Sequence, residues 1–468
     1  MNIPNDSKVL ILGGGISGLS AAWFLHRRGV AVEVLEAERR PGGLIHSSQS
    51  QGYLLEHGPN STLQKPGEPE DALGRMVQDL ELSNHLIEAA PMASKRYVMH
   101  RGRMRPLPDS PRAFLTTPVF SVWAKLRLLV EPLIGWVYHE ESIAEFVRRR
   151  LGEEFLHYAI EPFISGVYAG DPKDLSVQAA VARIYALEQQ YGSLIVAAIM
   201  EGKAKKAMGT PRGRLVTFDQ GMGLLPATIA RKLPEGSVRQ GVEVISLRQE
   251  EEGWRVIWRG ADGSAGSESA KRVVLALPTT AAASVLFPVV PAASRILTSI
   301  ASAPIASTAL GYRREQITHP LDGFGFLLPR RERVRLLGAL FSSSLFPKRA
   351  ADGKVLLTAF IGGAMDRDAL TLPDGPLVER VHQDLTRCLG IQGEPEFVQL
   401  TRYQAAIPQY HLGHLGRIEA LDKALEPYPG LHTCANWRDG ISVANCIRNG
   451  ELLAERLTTT QKEENLAA

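Results

Sequence analysis

Short, wholly apolar runs alternate with longer amphipathic stretches along the 468 residues, and the period of each sorts it into an element. Lys8-Val9-Leu10-Ile11-Leu12 is apolar after its lysine, the mark of a strand buried on both faces. An amphipathic helix follows to about Arg28, and Ala31-Val32-Glu33-Val34-Leu35 forms a second strand ending on Glu36. Further strands read at 255–258, after the turn around Glu252-Gly253, at 272–278, after a Gly/Ser-rich stretch, and at 430–436. An amphipathic helix carrying Ile447, Leu452, Leu453 and Leu457 closes the chain from about Val443, and the polar tail beyond Thr458 is expected to fray. Residues 80–206 read as helix-rich, and 290–420 alternate short strands with helices such as 377–389. The pattern predicts an α/β protein. A Rossmann-like dinucleotide domain is discontinuous (1–85, 215–290 and 420–468), interrupted by an α-helical insertion at 86–206 and joined to a mixed-sheet substrate domain at 291–419. No internal repeat is apparent.

The link between the first two strands gives that domain its chemistry. Gly13-Gly14-Gly15-Ile16-Ser17-Gly18 supplies G-x-G-x-x-G between a strand and a helix. The glycines serve a tight turn, close approach of backbone to pyrophosphate, and close helix–strand packing. The helix start offers unpaired N–H groups and a positive dipole end to phosphate. Glu36, 18 residues after Gly18, stands where a carboxylate takes ribose hydroxyls, and it would repel the 2′-phosphate of NADP. This cradle alone does not separate NAD from FAD.

Composition narrows the field. At 44% hydrophobic the chain can bury a large core, in two or three units for its length. A net charge of +3 points to no nucleic-acid partner, and the cluster Lys203, Lys205, Lys206, Arg212 and Arg214 lacks interleaved aromatics and reads as a solvated loop. Cys388, Cys434 and Cys446 have neither metal-ligand spacing nor a disulfide framework, so no metal is expected and a reducing compartment fits. Met1 to Ser7 is short and polar, unlike a signal peptide, and no run of 18 apolar residues exists. The expected location is the cytoplasm or the cytoplasmic face of the inner membrane. Residues 113–138 leave two readings open. Phe114, Leu115, Trp123, Leu129, Leu133 and Trp136, broken by Lys125, Arg127, Glu131 and prolines, suit either a helix pair packed on its own core or a peripheral membrane contact. A homodimer is neither required nor excluded by the sequence.

The segment after the cradle resembles the FAD-containing amine oxidase and protoporphyrinogen oxidase superfamily. Glu36-x-x-x-Arg40-x-Gly42-Gly43 adds an arginine that can reach the pyrophosphate, and Glu56-His57-Gly58-Pro59-Asn60-Ser61 is similar to the segment that family lays beside the isoalloxazine. Pro162-Phe163-Ile164-Ser165-Gly166-Val167-Tyr168-Ala169-Gly170-Asp171-Pro172 resembles the signature of the protoporphyrinogen oxidase family and not that of amine oxidases or phytoene desaturases. The resemblance continues through Lys95-Arg96-Tyr97, the strings at 323–329, 337–343 and 358–363, Ile407-Pro408-Gln409-Tyr410, and Asn445-Cys446-Ile447-Arg448. One departure stands at Phe218-Asp219-Gln220-Gly221-Met222-Gly223, where the family often has two adjacent glycines.

The resemblance implies FAD as cofactor, held by Gly13, Gly14, Gly15, Ile16, Ser17, Gly18, Glu36, Ala37, Arg40, Gly42, Gly43, Leu44, Gly58, Pro59, Asn60, Ser61, Val242, Asn436, Ile441, Ser442 and Val443. It implies a tetrapyrrole substrate. Arg96 would grip a propionate, Leu327 and Leu340 would sandwich one pyrrole, Phe360 would stack on another, and the Gly166 carbonyl would accept from a pyrrole N–H. Read alone, Leu327, Leu340 and Phe360 are core residues and Arg96 a surface arginine. The Gly440-Ile441-Ser442-Val443 helix start would turn its amides toward the flavin N1–C2=O edge, where reduction places negative charge.

The implied reaction takes a hydride from a bridging methylene to flavin N5 in each of three two-electron steps, with molecular oxygen reduced to hydrogen peroxide. Positioning and exclusion of water suffice, so no catalytic base is assigned and His57 reads as structural. Three rivals remain: oxidation of coproporphyrinogen III, whose two extra carboxylates would want more pocket cations; a flavin amine oxidase, for which Trp437 supplies only half of an aromatic pair; and a flavin-stabilised binding subunit without activity.

Overall fold

Five parallel strands carry the amino-terminal motif. In the computed structural model, which describes residues 8–68, 71–208 and 213–467 (side chains of 204–208 and 460–467 excepted), they run in the order Val238–Gln240, Val32–Glu36, Val9–Leu12, Arg272–Leu275, Leu431–Thr433. Val9 lies opposite Val32 on one side and Arg272 on the other, so strands more than 250 residues apart in sequence share one register. Both faces are covered: Val9, Ile11, Val34 and Val274 enter one apolar cluster, and Leu10, Leu12, Val273 and Leu275 enter another. That is why these strands read as continuous apolar runs. The helix Ile16–Arg27 packs on the closing helix Val443–Ala467, where a β-carbon on Gly450 would stand 2.7 Å from the amide nitrogen of Ala21. The closing helix runs on to Ala467 rather than fraying after Thr458. Residues 255–258 fall within Gly253–Gly260, the middle strand of a separate antiparallel sheet of three.

The second large sheet has seven strands, ordered Phe397–Pro408, Ser302–Arg313, Lys354–Gly362, Leu336–Leu340, Gly325–Leu327, Tyr97–His100, Arg103–Pro106. The last two are strands inside the span from residue 86 that reads as a helix-rich, α-helical insertion. Tyr97–His100 pairs in parallel with Gly325–Leu327, with Phe326 opposite Tyr97 and Leu327 opposite Val98. Tyr97 and Met99 pack into one cluster and Val98 into another, so this strand has no polar face to betray its period. Helices occupy the chain from Pro111–Thr116 to Leu194–Met208.

Within that helical part the stretch 113–138 divides. Val119 and Phe120 are buried and Phe114 packs against them, whereas Trp123, Leu129, Leu133 and Tyr138 are 81, 75, 85 and 97% exposed. Lys125 donates to the carbonyls of Leu115 and Thr117, and Arg127 to that of Arg149. Among the described residues no helix is long and apolar enough to cross a membrane. Of the basic cluster, Arg212 and the side chains of Lys205 and Lys206 lie outside the described residues, as do Met1 to Ser7.

Candidate active site

Gly13 follows the first strand, and its φ of +104° and contact with the Ala276 carbonyl leave no room for a side chain. Gly14 is equally constrained: its N–H donates to Glu36 Oε2 at 2.7 Å, and a β-carbon there would meet the Glu36 side chain at 2.9 Å. Glu36 also accepts from the Glu38 amide at 2.8 Å. Burial pushes its carboxyl above the ordinary range, against the pull of these two amides. Gly15 is open where Gly14 is closed. Nothing lies within 4 Å of a β-carbon placed on Gly15, which is the N-cap of the helix Ile16–Arg27 and caps it with no side chain. Ile16, Ser17 and Gly18 form its first turn.

The glycine pair folds back onto this loop. Gly42 bridges to Gly15 and its N–H donates to the Gly14 carbonyl at 2.8 Å. Arg40 donates to the carbonyls of Gly43 and Ile45, which fixes its guanidinium beside the loop, with Ala37 exposed nearby in sequence. Gly58 presses on Leu44, whose carbonyl a β-carbon at 58 would overlap, and Asn60 Nδ2 donates to the Gly58 carbonyl. Pro59 and Ser61 are half-buried beside them. Val242 is buried in the cluster that holds Leu10, Leu12 and Leu35. From the chain's other end, the Cys434 thiol reaches toward the Ser17 carbonyl, which sets Asn436, Ile441, Ser442 and Val443 near the cradle. Ser442 Oγ accepts from the Asn445 amide at the start of the closing helix.

The residues expected to meet the substrate share one face of the seven-stranded sheet. Leu327 is opposite Gly338, Gly338 is opposite Phe360, Phe360 is opposite Ser307, and Ser307 is opposite Thr401. Leu340 lies two residues beyond Gly338 on the same face. The alternate residues Phe326, Ala339 and Ala359 are buried on the other face. At one side of the shared face Val98 is covered by Val119 and Phe120 of the helical part, and at the other Ala309 is covered by Tyr53 and Leu55 of the dinucleotide part. Between these covers Leu327, Leu340 and Phe360 remain only half-buried. An apolar floor therefore stays partly open in the middle of the sheet.

The helix Glu161–Tyr168 lies over this floor: a β-carbon on Gly166 would stand 2.7 Å from Leu327 Cδ2. It follows a π-helical turn, Leu156–Ile160, a distortion that frequently marks functional sites. Arg96 is exposed at the edge, with its guanidinium 5.3 Å from the centre of the Phe324 ring. Strand alternation puts it on the face of Val98, the side of the open floor.

Among the groups joining floor and cradle, His57 is structural, as the sequence reads, and Arg349 goes unread. His57 Nδ1 is 2.8 Å from Thr401 Oγ1 and Nε2 is 2.8 Å from Ser48 Oγ, while its ring stacks on His46 at 4.3 Å. Burial, with Arg40 beside it, holds His57 below the ordinary imidazole value, which suits a structural group bonded by two hydroxyls. Buried Arg349 donates to Glu56 at 2.6 Å and to Thr217 at 2.8 Å, closing the same seam. Nothing in the local sequence around Arg349 marks it, because its partner lies 293 residues away.

A dinucleotide cradle at the carboxyl ends of parallel strands, beside a sheet with a partly open apolar floor, is the layout of a dinucleotide-dependent oxidoreductase. The family described as flavin containing amine oxidoreductase matches residues 16–458, and the chain belongs to it. Chloroplastic protoporphyrinogen oxidase of Oryza sativa subsp. japonica is 35% identical over 96% of this chain and 88% of its own length. Coproporphyrinogen III oxidase of Bacillus subtilis (strain 168) is 30% identical over 95% of this chain and 96% of its own. The crystal structure of an Exiguobacterium sp. 255-15 protein described as a protoporphyrinogen oxidase has the same fold, with a TM-score of 0.81 over 96% of this chain and 98% of that one at 23% identity. FAD is the cofactor, and the cradle fits it: an uncapped helix start, an open Gly15 and an oriented Glu36 are what a pyrophosphate and a ribose require.

Proposed function

We propose that this chain oxidises protoporphyrinogen IX to protoporphyrin IX in porphyrin biosynthesis, with molecular oxygen as acceptor and hydrogen peroxide as co-product. The observation that carries the reading is the half-buried apolar floor of Leu327, Leu340 and Phe360 beside the Gly166 helix, with exposed Arg96 at its edge. Such a surface suits an apolar macrocycle with carboxylates at one edge. Bound FAD supplies the two-electron acceptor. The chain's own residues would hold the reacting carbon still and dry: Leu327 and Leu340 against one pyrrole, Phe360 on another, and the Gly166 carbonyl toward a pyrrole N–H. No side chain need take a proton, since the pyrrole N–H protons can leave after each oxidation step.

The two-propionate substrate is favoured over coproporphyrinogen III by where the nearby arginines are spent. Arg335 is paired with Asp366, Arg330 donates to the Met365 carbonyl, and Arg331 and Arg333 are exposed on the turn. None is committed to the floor. Steady-state kinetics on both porphyrinogens, read by porphyrin fluorescence, test this: protoporphyrinogen is expected to have the higher kcat/KM. A clear preference for the tetracarboxylate would overturn the substrate. Failure to convert either above autoxidation, with FAD bound, would overturn the activity.

We further propose that Leu115, Trp123, Leu129, Leu133, Trp136 and Tyr138 rest on the cytoplasmic face of a membrane. Their exposure far exceeds the scattered apolar residues of an ordinary surface, and the aromatic share is that of an interfacial segment.

A further inference from the structure

The strand Phe397–Pro408 runs into Gln409 and Tyr410, both 2% exposed, and this dipeptide touches the two sides of the site at once. Gln409 Nε2 donates to the carbonyl of Tyr168 at 2.8 Å, at the end of the Gly166 helix, and its own N–H donates to Ala301. Tyr410 faces the other way. Its phenol donates to the Asn436 carbonyl at 2.6 Å and accepts from the Gly440 N–H at 2.8 Å. One oxygen thus fastens both ends of the loop that leads into Ile441, Ser442 and Val443. The ring is clamped between Tyr168, 6.1 Å away edge-on, and His414, stacked at 4.0 Å, while the Tyr410 carbonyl accepts from the Ser176 amide. Ile441 packs in turn with the cluster of Ile164 and Tyr168.

We propose that Tyr410 is a positioning residue that sets the 436–443 loop, and with it the amides at the start of the closing helix, against the bound flavin and in register with the Gly166 helix. The arrangement has a physical reason. A helix start stabilises negative charge only if its N–H groups are aimed beforehand, and misplacement by about 1 Å costs on the order of a hundredfold in rate. A phenol that both donates and accepts holds a loop at two points. Burial pushes this phenol well up, so it keeps its proton and its donor role throughout the working pH range.

The inference rests on the flavin assignment and deepens the proposed oxidase reading. Its test therefore separates the two. Tyr410→Phe keeps the ring and its stacking and removes only the oxygen; His414→Phe keeps the stack and both phenol bonds and loses only the imidazole's contact with the Arg438 backbone. FAD content, melting temperature and flavin midpoint potential are measured without any porphyrinogen, followed by kcat and KM with it. The expected result for Tyr410→Phe is retained FAD, a midpoint potential shifted to more negative values, and kcat down about tenfold at a KM within twofold, with His414→Phe near wild type in potential. An unchanged potential in Tyr410→Phe overturns the proposal, as does an equal shift in His414→Phe. If wild type fails to turn over porphyrinogen, the oxidase reading falls while the potential still decides the role of Tyr410.

Discussion

The Leu327 side chain lies directly against the bare α-carbon of Gly166, so that a β-carbon there would come within 2.7 Å of Leu327 Cδ2. The obstructing atom is the far end of a flexible side chain, so the helix need not move; Leu327 rotates instead. It has only the half-open floor to rotate into. Gly166→Ala should therefore fold with a melting temperature within a few degrees of wild type and keep its FAD. Its kcat/KM for porphyrinogen should fall about tenfold or more, because a shifted floor misaligns the reacting carbon. Thermal unfolding, flavin absorbance and fluorimetric turnover on one preparation check all parts.

Arg96 offers a second test, independent of the floor. It stands exposed over Phe324 and forms no ion pair among the described residues, so its removal leaves no buried charge behind. Arg96→Ala is expected to raise KM for protoporphyrinogen about tenfold, within the range for losing a charge-assisted hydrogen bond, and to leave FAD affinity unchanged. Arg96→Lys keeps the charge but not the bidentate fork and should fall between. An unchanged KM in the alanine variant would remove Arg96 from the site.

These two residues also show how much was legible before the structure. The cradle was readable because its geometry is local: Val9 to Glu36 is one strand, one turn, one helix and one strand, each announced by its own period. The floor was not. Leu327, Gly338 and Phe360 face one another only through register across three strands, and no local pattern in any of them states that register. The pairing of Tyr97–His100 was hidden for the same reason, since its parallel partner lies more than 220 residues downstream and both its faces are covered. Periodicity could say that 113–138 was amphipathic. It could not say which apolar side chains would find a partner, and the structure buries Val119 and Phe120 while leaving Trp123 and Leu133 out.

The helical part is held by charges, and this gives a stability prediction. Fully buried Arg150 is paired with fully buried Glu131 at 3.2 Å and with buried Glu188. Glu131 also accepts from the Ser193 hydroxyl and the Leu194 amide, joining the exposed apolar stretch to the helix Leu194–Met208. Removing one partner of such a network strands a buried charge. Glu131→Ala should cost about 3–5 kcal/mol in denaturant unfolding, whereas Arg27→Ala, whose pair with Asp79 is exposed, should cost less than about 1 kcal/mol.

Acid should destabilise the fold through its buried imidazoles. Burial holds His414 and His432 down to about 4, from an ordinary 6.5, and pushes His57 and His46 in the same direction. Between 6.5 and about 4 the unfolded chain binds protons that the folded chain refuses, so stability is flat above neutrality and declines as pH falls through that window. Melting temperatures at pH 7.5, 6.0 and 5.0 should drop progressively, and His432→Phe should flatten the slope. A transition that does not move until pH 4.5 would contradict the burial of these rings.

The exposed apolar stretch yields the last test, and the direction of its cations sharpens it. Lys125 and Arg127 are turned inward onto backbone carbonyls, so attraction to anionic headgroups has little to work with. Binding to a bilayer should then rest on apolar burial and depend only weakly on salt and on anionic lipid. Burying one large apolar side chain contributes about 1.5–3 kcal/mol, so Trp123→Ser and Leu133→Ser should each weaken liposome partitioning by roughly tenfold or more. Because Trp123 and Leu133 are 81 and 85% exposed, neither change should lower the melting temperature. Flotation with neutral and anionic vesicles at low and high salt measures all of this. Partitioning abolished by salt would mean that charges elsewhere bring the protein to the membrane, and partitioning indifferent to both substitutions would mean that the patch serves another surface.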